Sequence, residues 1–236
     1  MAAGIQLVGV DGARAGWIAV YEAGESMAYG VFPDPVTLVR AFPNAWVLSV
    51  DMPIGLADSG PRSPDSLARR FVGGRRACSI FSAPVRCILD AQSQPEASLR
   101  HRAIDGRGFG AQAFAILPKI RDWDALLLAS STARERVYEV HPEVSFAALN
   151  GGVGLVAGKK TREGALLRTN LLSTEFGREV VEGLLASVPR REAAPDDVLD
   201  ALVAFWSARR ISSGSYRSLP SPPERDSCGL RMAIHY

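Results

Sequence analysis

Residues 5–12 read IQLVGVDG and residues 46–55 read WVLSVDMPIG. Each is an apolar run that closes on an aspartate, Asp11 or Asp51, just before a glycine or proline interrupts the strand pattern. A carboxylate at the end of a buried strand has to be paired, solvated or ligated, because leaving it alone in an apolar setting is costly. A third acidic segment, PDDVLDALVAFW at 195–206, has helical spacing. At ~100° per residue Val198, Leu199, Leu202, Val203 and Trp206 form an apolar stripe, with Asp196, Asp197 and Asp200 on the adjoining polar face. Strand ends and helix starts gather at one edge of an α/β sheet, so these acids are expected to meet there. Held close together they repel by several kcal/mol at low effective dielectric, and a divalent metal is the natural counter-charge.

The surrounding pattern predicts an α/β fold. Three short apolar runs at Ile5–Gly12, Trp17–Tyr21 and Met27–Phe32, separated by glycines, read as a three-strand meander. A helix over 35–42 precedes the fourth strand, Trp46–Asp51, in which Val47, Ser49 and Asp51 share a face. Residues from about 60 to 130 read as a helical insertion, broken at Gly73-Gly74, Pro84 and Gly106–Gly110. A fifth strand is expected at Arg136–His141, then helices over 146–149 and 161–185, with a break near Gly177, and a last helix from Pro195. The whole chain is expected to form one domain around a mixed five-stranded sheet flanked by helices. Beyond Arg210 the composition turns to Ser, Pro and Arg and predicts a loop-rich tail over 211–236, although Leu230, Met232 and Ile234 alternate as an edge strand would.

Composition narrows the classes. A chain of 236 residues with 47% apolar content is globular, and a net charge of +2 is too small to announce a nucleic-acid binder. Arginine dominates from Arg62 to Arg107, as a solvated helical face or a phosphate-contacting surface. The three cysteines, Cys78, Cys87 and Cys228, lack CxxC spacing, which suits reduced thiols and disfavours zinc. No signal-peptide pattern and no apolar run of membrane-spanning length is present, so a cytoplasmic protein with no membrane partner is expected.

Other candidates follow from the same logic. In YEVHPEVSF, 138–146, Glu139 and His141 share a face of the fifth strand, which makes Glu139 a further metal or substrate contact and His141 a proton-transfer or positioning group. Glu143 is a candidate too, or a first-turn acid of the next helix. Lys119, Lys159, Lys160, Arg75, Arg76 and Arg86 are the candidate phosphate contacts, Lys159 and Lys160 lying in the glycine-bounded GKKTREG.

The order of elements, with acids at the first strand, fourth strand and last helix, is similar to that of ribonuclease H-like proteins. The DxxDAL form at Asp197–Leu202 resembles the Holliday-junction resolvase branch of that superfamily. More closely, GVDGARAGW, SVDMPIGL, RRACSIFSAPVR, AFAILPKI, YEVHPEVSF, KKTREGALLR, DDVLDAL and GLRMAIHY, in that order, resemble the family of predicted ribonuclease H-like nucleases known as domain of unknown function 429. The resemblance implies a metal-dependent nuclease acting on nucleic acid with two Mg²⁺ or Mn²⁺ ions held by Asp11, Asp51, Asp197 and Asp200. Two alternatives share the first-strand Asp and glycine-rich turn or the fold: an actin-like or sugar-kinase-related nucleotide-binding enzyme, and an inactive nucleic-acid-binding module.

Overall fold

Nine helices and seven strands are formed by residues 6–236, the span described by the computed structural model; the side chain of Arg75 lies outside the described residues, as does Ile5. Strand β1 (Leu7–Ala13) pairs antiparallel with β2 (Gly16–Ala23), and β2 with β3 (Ser26–Phe32). Helix α1 (Pro35–Ala41) leads to β4 (Val47–Val50), which lies parallel to β1 on its other side, and β5 (Val137–Glu139) lies parallel to β4. The sheet order is β3-β2-β1-β4-β5. The expected mixed five-stranded sheet is therefore present, and β1 is the strand whose two neighbours run in opposite senses.

Alternation along the strands sorts the core into two layers. Val8, Val10, Leu48 and Val50 face α1 and α4 (Ala111–Ala129), where the Trp17 and Trp123 rings meet edge to face at 5.5 Å. Ile18 and Val20 face the other way, onto α7 (Arg162–Phe176), α8 (Arg178–Ser187) and α9 (Pro195–Ser212). Between β4 and β5 lie α2 (Ser63–Val72), α3 (Gln94–Asp105), α4 and α5 (Ser131–Arg136); α6 (Pro142–Leu149) follows β5.

Strand β1 and helix α9 approach each other backbone to backbone. A Cβ added to Gly9 would stand 2.0 Å from the Phe205 backbone nitrogen and 2.3 Å from the Ala201 carbonyl oxygen, so only glycine admits the helix. Asp11 is two residues along β1 from Gly9 and Asp200 precedes Ala201, so the same contact sets both acids side by side.

The C-terminal segment departs from expectation. In place of a loop-rich tail or an edge strand of the main sheet, Ser218–Arg225 and Arg231–His235 form an antiparallel pair of their own, β6 and β7. The alternation of Leu230, Met232 and Ile234 was incomplete information, because Ala233 and His235 on the opposite face are also buried. Strand β7 packs beside β5, where the His235 ring nitrogen Nδ1 meets the Glu139 carbonyl at 3.1 Å, and the Tyr236 ring rests on Phe71 of α2. Asp226 at the hairpin turn accepts from Leu56 N, Cys228 N and Leu230 N and pairs with Arg86, which ties the hairpin to the chain just beyond β4.

Replacing Gly9 by Ala forces α9 off β1, and urea unfolding should show a loss of about 3 kcal/mol, the upper range for overpacking a rigid backbone contact. An unchanged midpoint and slope would mean that α9 does not seat on Gly9.

Candidate functional site

Three carboxylates meet where β1 and β4 part company. The parallel ladder ends at Val10–Val50, Asp51 N still donates to Val10 O, and the chain then turns through Pro53. Asp11 projects from β1 on the α9 side, and the Asp11 and Asp51 carboxyls lie within hydrogen-bonding reach of each other, a contact that requires a shared proton. Asp200 is 1% exposed in the second turn of α9. Burial first, and the neighbouring charges of Asp51 and Asp200 next, hold the Asp11 carboxyl well above the ordinary range. Burial pushes Asp51 up to about 6 and Asp200 up to about 7, with Lys159 opposing the shift in each.

Lysine supplies the counter-charge here. Lys159, on the turn before α7, donates to Asp200 Oδ2 at 2.6 Å and stands 3.9 Å from Asp196 Oδ2. The acids around it hold its ammonium charged, against the opposing effect of burial. Expected as a phosphate contact, it is instead engaged with the carboxylates, while its neighbour Lys160 is exposed.

A second shell of charge lies behind. The buried Arg168 of α7 donates to Glu143 Oε1 at 2.7 Å and to the carbonyls of Ala157 and Gly164, and Arg76 approaches the same Glu143 oxygen at 3.5 Å. His141 is the N-cap of α6: its Nδ1 accepts from Glu143 N at 3.2 Å, which leaves the hydrogen on Nε2, and burial lowers its pKa to about 4, so the ring is neutral. Asp51, Arg76, His141, Glu143, Lys159 and Asp200 line one small cavity of about 180 Å³. On the other side of Asp51 a larger cavity of about 700 Å³ is lined by Asp11, Gly12, Met52, Phe81, Gln112, Ile116 and Lys119, among others.

Several sequence expectations are corrected. Glu139 faces away from the cluster: it is in register with Val50, whose side chain points to the α4 layer, and it is held there by Arg62 through Oε1 at 2.6 Å and by Ile54 N. Glu143, on the turn of α6, is the acid that comes near Asp51 instead. Asp197 is half-buried and accepts from Ala194 N, so its first task is to cap α9. Lys119 donates to the carbonyls of Ala13 and Gly16 and lies over the Trp17 ring at 4.8 Å; it fixes the β1–β2 turn at the cavity wall. Arg86 bridges Asp124 and Asp226 and holds the scaffold, not a phosphate.

Sequence reasoning missed Arg62 and Arg168. Arg62 is 2% exposed and neutralises Asp65 and Glu139 together. Nothing in its local pattern marks it as buried; the signal was Glu139, an acid on a buried strand that needed a partner.

The donor chemistry of the cluster suits a hard divalent cation: it offers carboxylate oxygens only, and Asp200 Oδ1 and Glu143 Oε2 are buried without a hydrogen-bond donor. As the side chains stand, no set of three or more His, Cys, Asp or Glu side chains among the described residues is placed to ligate one, and the Lys159 ammonium sits against the acids.

A family model described as "Protein of unknown function (DUF429)" matches residues 9–225. The chain belongs to that family. The match runs from the β1 glycine through the acidic cluster to the end of β6. No curated protein and no solved structure matches the chain. Among the described residues no helix is long and apolar enough to cross a membrane.

The raised carboxyls set a pH dependence. Groups whose folded pKa exceeds the unfolded value stabilise the fold most below about pH 4, and that contribution is lost as pH rises through about 6 for Asp51 and about 7 for Asp200. Asp11→Asn removes one charge from the cluster, so its melting temperature should exceed that of the wild type by more at pH 8 than at pH 5. An equal difference at both values would mean that the cluster is not strained by ionisation.

Proposed function

We propose that the protein is a metal-dependent hydrolase of phosphodiester bonds in nucleic acid, built on a ribonuclease H-like fold. The observation that carries the reading is the meeting of Asp11, Asp51 and Asp200 beside two cavities at the carboxyl ends of two parallel strands, one of which is the strand whose neighbours run in opposite senses. Ligand sites in open α/β sheets form at such points. The order β3-β2-β1-β4-β5, with the helical segment between β4 and β5 as an insertion, supports the ribonuclease H-like assignment.

Asp11, Asp51 and Asp200 would hold Mg²⁺ or Mn²⁺, with Glu143 within reach through its unpaired oxygen. Bound there, the metal supplies Lewis-acid stabilisation of phosphoryl charge and an activated water. Lys159 holds Asp200 in place. Neutral His141 presents its Nε2 hydrogen as a donor, since Nδ1 is committed to the α6 cap.

A screen of single-stranded, duplex, hybrid and branched nucleic acids with Mg²⁺ or Mn²⁺ tests the reading. Asp11→Asn and Asp200→Asn should each lower cleavage by about two orders of magnitude or more, the scale on which one charge-stabilising group acts. ATP turnover with no cleavage of any nucleic acid would favour a kinase-like enzyme.

Metal should also raise the melting temperature of the wild type, by relieving repulsion in the folded state, and Asp11→Asn should abolish most of that rise. The same rise in both proteins would place the ion elsewhere.

A further inference from the structure

The cavity beside Asp11 and Asp51 is larger than a metal and a phosphate require. At about 700 Å³ it falls in the range of sites for small organic ligands. Its lining includes the two carboxylates and Lys119, but much of the rest is of another character. Met52, Pro53, Phe81, Ala113 and Ile116 all contribute apolar surface to the lining. A hydrated phosphate backbone gains nothing from such a lining, whereas a flat heterocycle does. Phe81 is half-buried and, among the described residues, pairs with no other ring, so it has stacking surface to give. Gln112, exposed on the first turn of α4, brings an amide that both donates and accepts, as the edge of a base requires.

The basic residues argue against a duplex. Affinity for duplex rests on cations free to meet phosphates. Here Arg62, Arg86, Arg100 and Arg107 are committed to carboxylates within the fold, Arg69 to Ile80 O and Ser82, and Arg76 to Ser79 and Glu143. These six arginines are thus tied up within the fold, and the cavity lining is rich in apolar side chains.

We propose that this cavity seats one unpaired nucleobase, so that the substrate unit is a single nucleotide, free or at an unpaired position of a single strand, with its phosphate towards Asp11 and Asp51. The proposal rests on the phosphoester-hydrolase reading for the role of the carboxylates, but base binding is measurable without hydrolysis. Calorimetric titration in Ca²⁺, supplied as the counter-charge for the carboxylates, with the four nucleoside monophosphates, a single-stranded oligonucleotide and its duplex tests it directly. The wild type should bind monophosphate or single strand at least about tenfold more tightly than duplex. Phe81→Ala should weaken binding by about tenfold or more, on the scale of base–aromatic stacking, while Phe81→Trp retains it and reports it by quenching of the added indole fluorescence. Tighter binding of the single strand than of the monophosphate identifies the strand as the source of the unit, and the reverse identifies the free nucleotide. Equal binding of duplex and single strand, or an affinity unmoved by Phe81→Ala, overturns the base seat. Binding that behaves as expected with no cleavage under either metal supports the seat and overturns hydrolysis; cleavage of duplex unaffected by Phe81→Ala does the opposite.

Discussion

The seating of α9 against β1 at Gly9 is the contact on which the rest depends. Backbone meets backbone there with no side chain between, so the helix can neither slide nor rotate without a clash at Phe205 N or Ala201 O. That fixes the phase of α9, and the phase fixes which of its residues face the sheet. Ala201, Leu202 and Phe205 fill the core, and Asp200 emerges beside Asp11 at the upper edge of the same contact. A charge cluster of this density would spread apart on a looser scaffold. On this one, burial first and the neighbouring charges next keep the carboxyl pKa values raised, and Lys159 is drawn in against Asp200.

Charge neutralisation is arranged in two separate compartments on opposite faces of the sheet. On the α9 side, Lys159 and Arg168 answer Asp200 and Glu143; on the α4 side, Arg62 answers Glu139 and Asp65. The two differ in completeness. Every oxygen of Glu139 has a donor, whereas Asp200 and Glu143 each keep a buried oxygen without one. A closed network rigidifies, and breaking it by removing Arg62 would leave two carboxylates uncompensated at a cost of about 3–5 kcal/mol. The open one retains unspent hydrogen-bonding capacity, as a binding site must.

The sheet and the acid-bearing elements were legible because each is signalled locally. Periodicity placed β1 to β5, glycines placed the turns, and Pro195 placed the start of α9 within its helix. What escaped is non-local. Glu139 and Asp51 each end a buried strand, and only the parallel register of β4 and β5, which aligns Glu139 with Val50, reveals that they face opposite layers. The hairpin β6–β7 was hidden for a related reason. Its prolines and serines read as a tail because β6 is mostly exposed, and its β7 side is buried on both faces, so alternation on one face described only half of it. The roles of Lys159, Arg62 and Arg168 follow from contacts between segments far apart in the chain.

The contact at Gly9 also has a temporal side. Asp11 on β1 and Asp200 on α9 are far apart in sequence, with all of β2–β5 and α1–α8 between them, so a growing polypeptide carries β1 through the making of all those elements with the Gly9 face uncovered. Pairings of such long sequence separation form late. Until α9 emerges, Ile18 and Val20 present an apolar surface that α9 covers in the folded chain, and partly made chains are exposed to aggregation. The acidic cluster likewise cannot exist on an incomplete chain, because Asp200 and the glycine contact that positions it arrive together. Whatever chemistry the site performs is therefore withheld until α9 has been made.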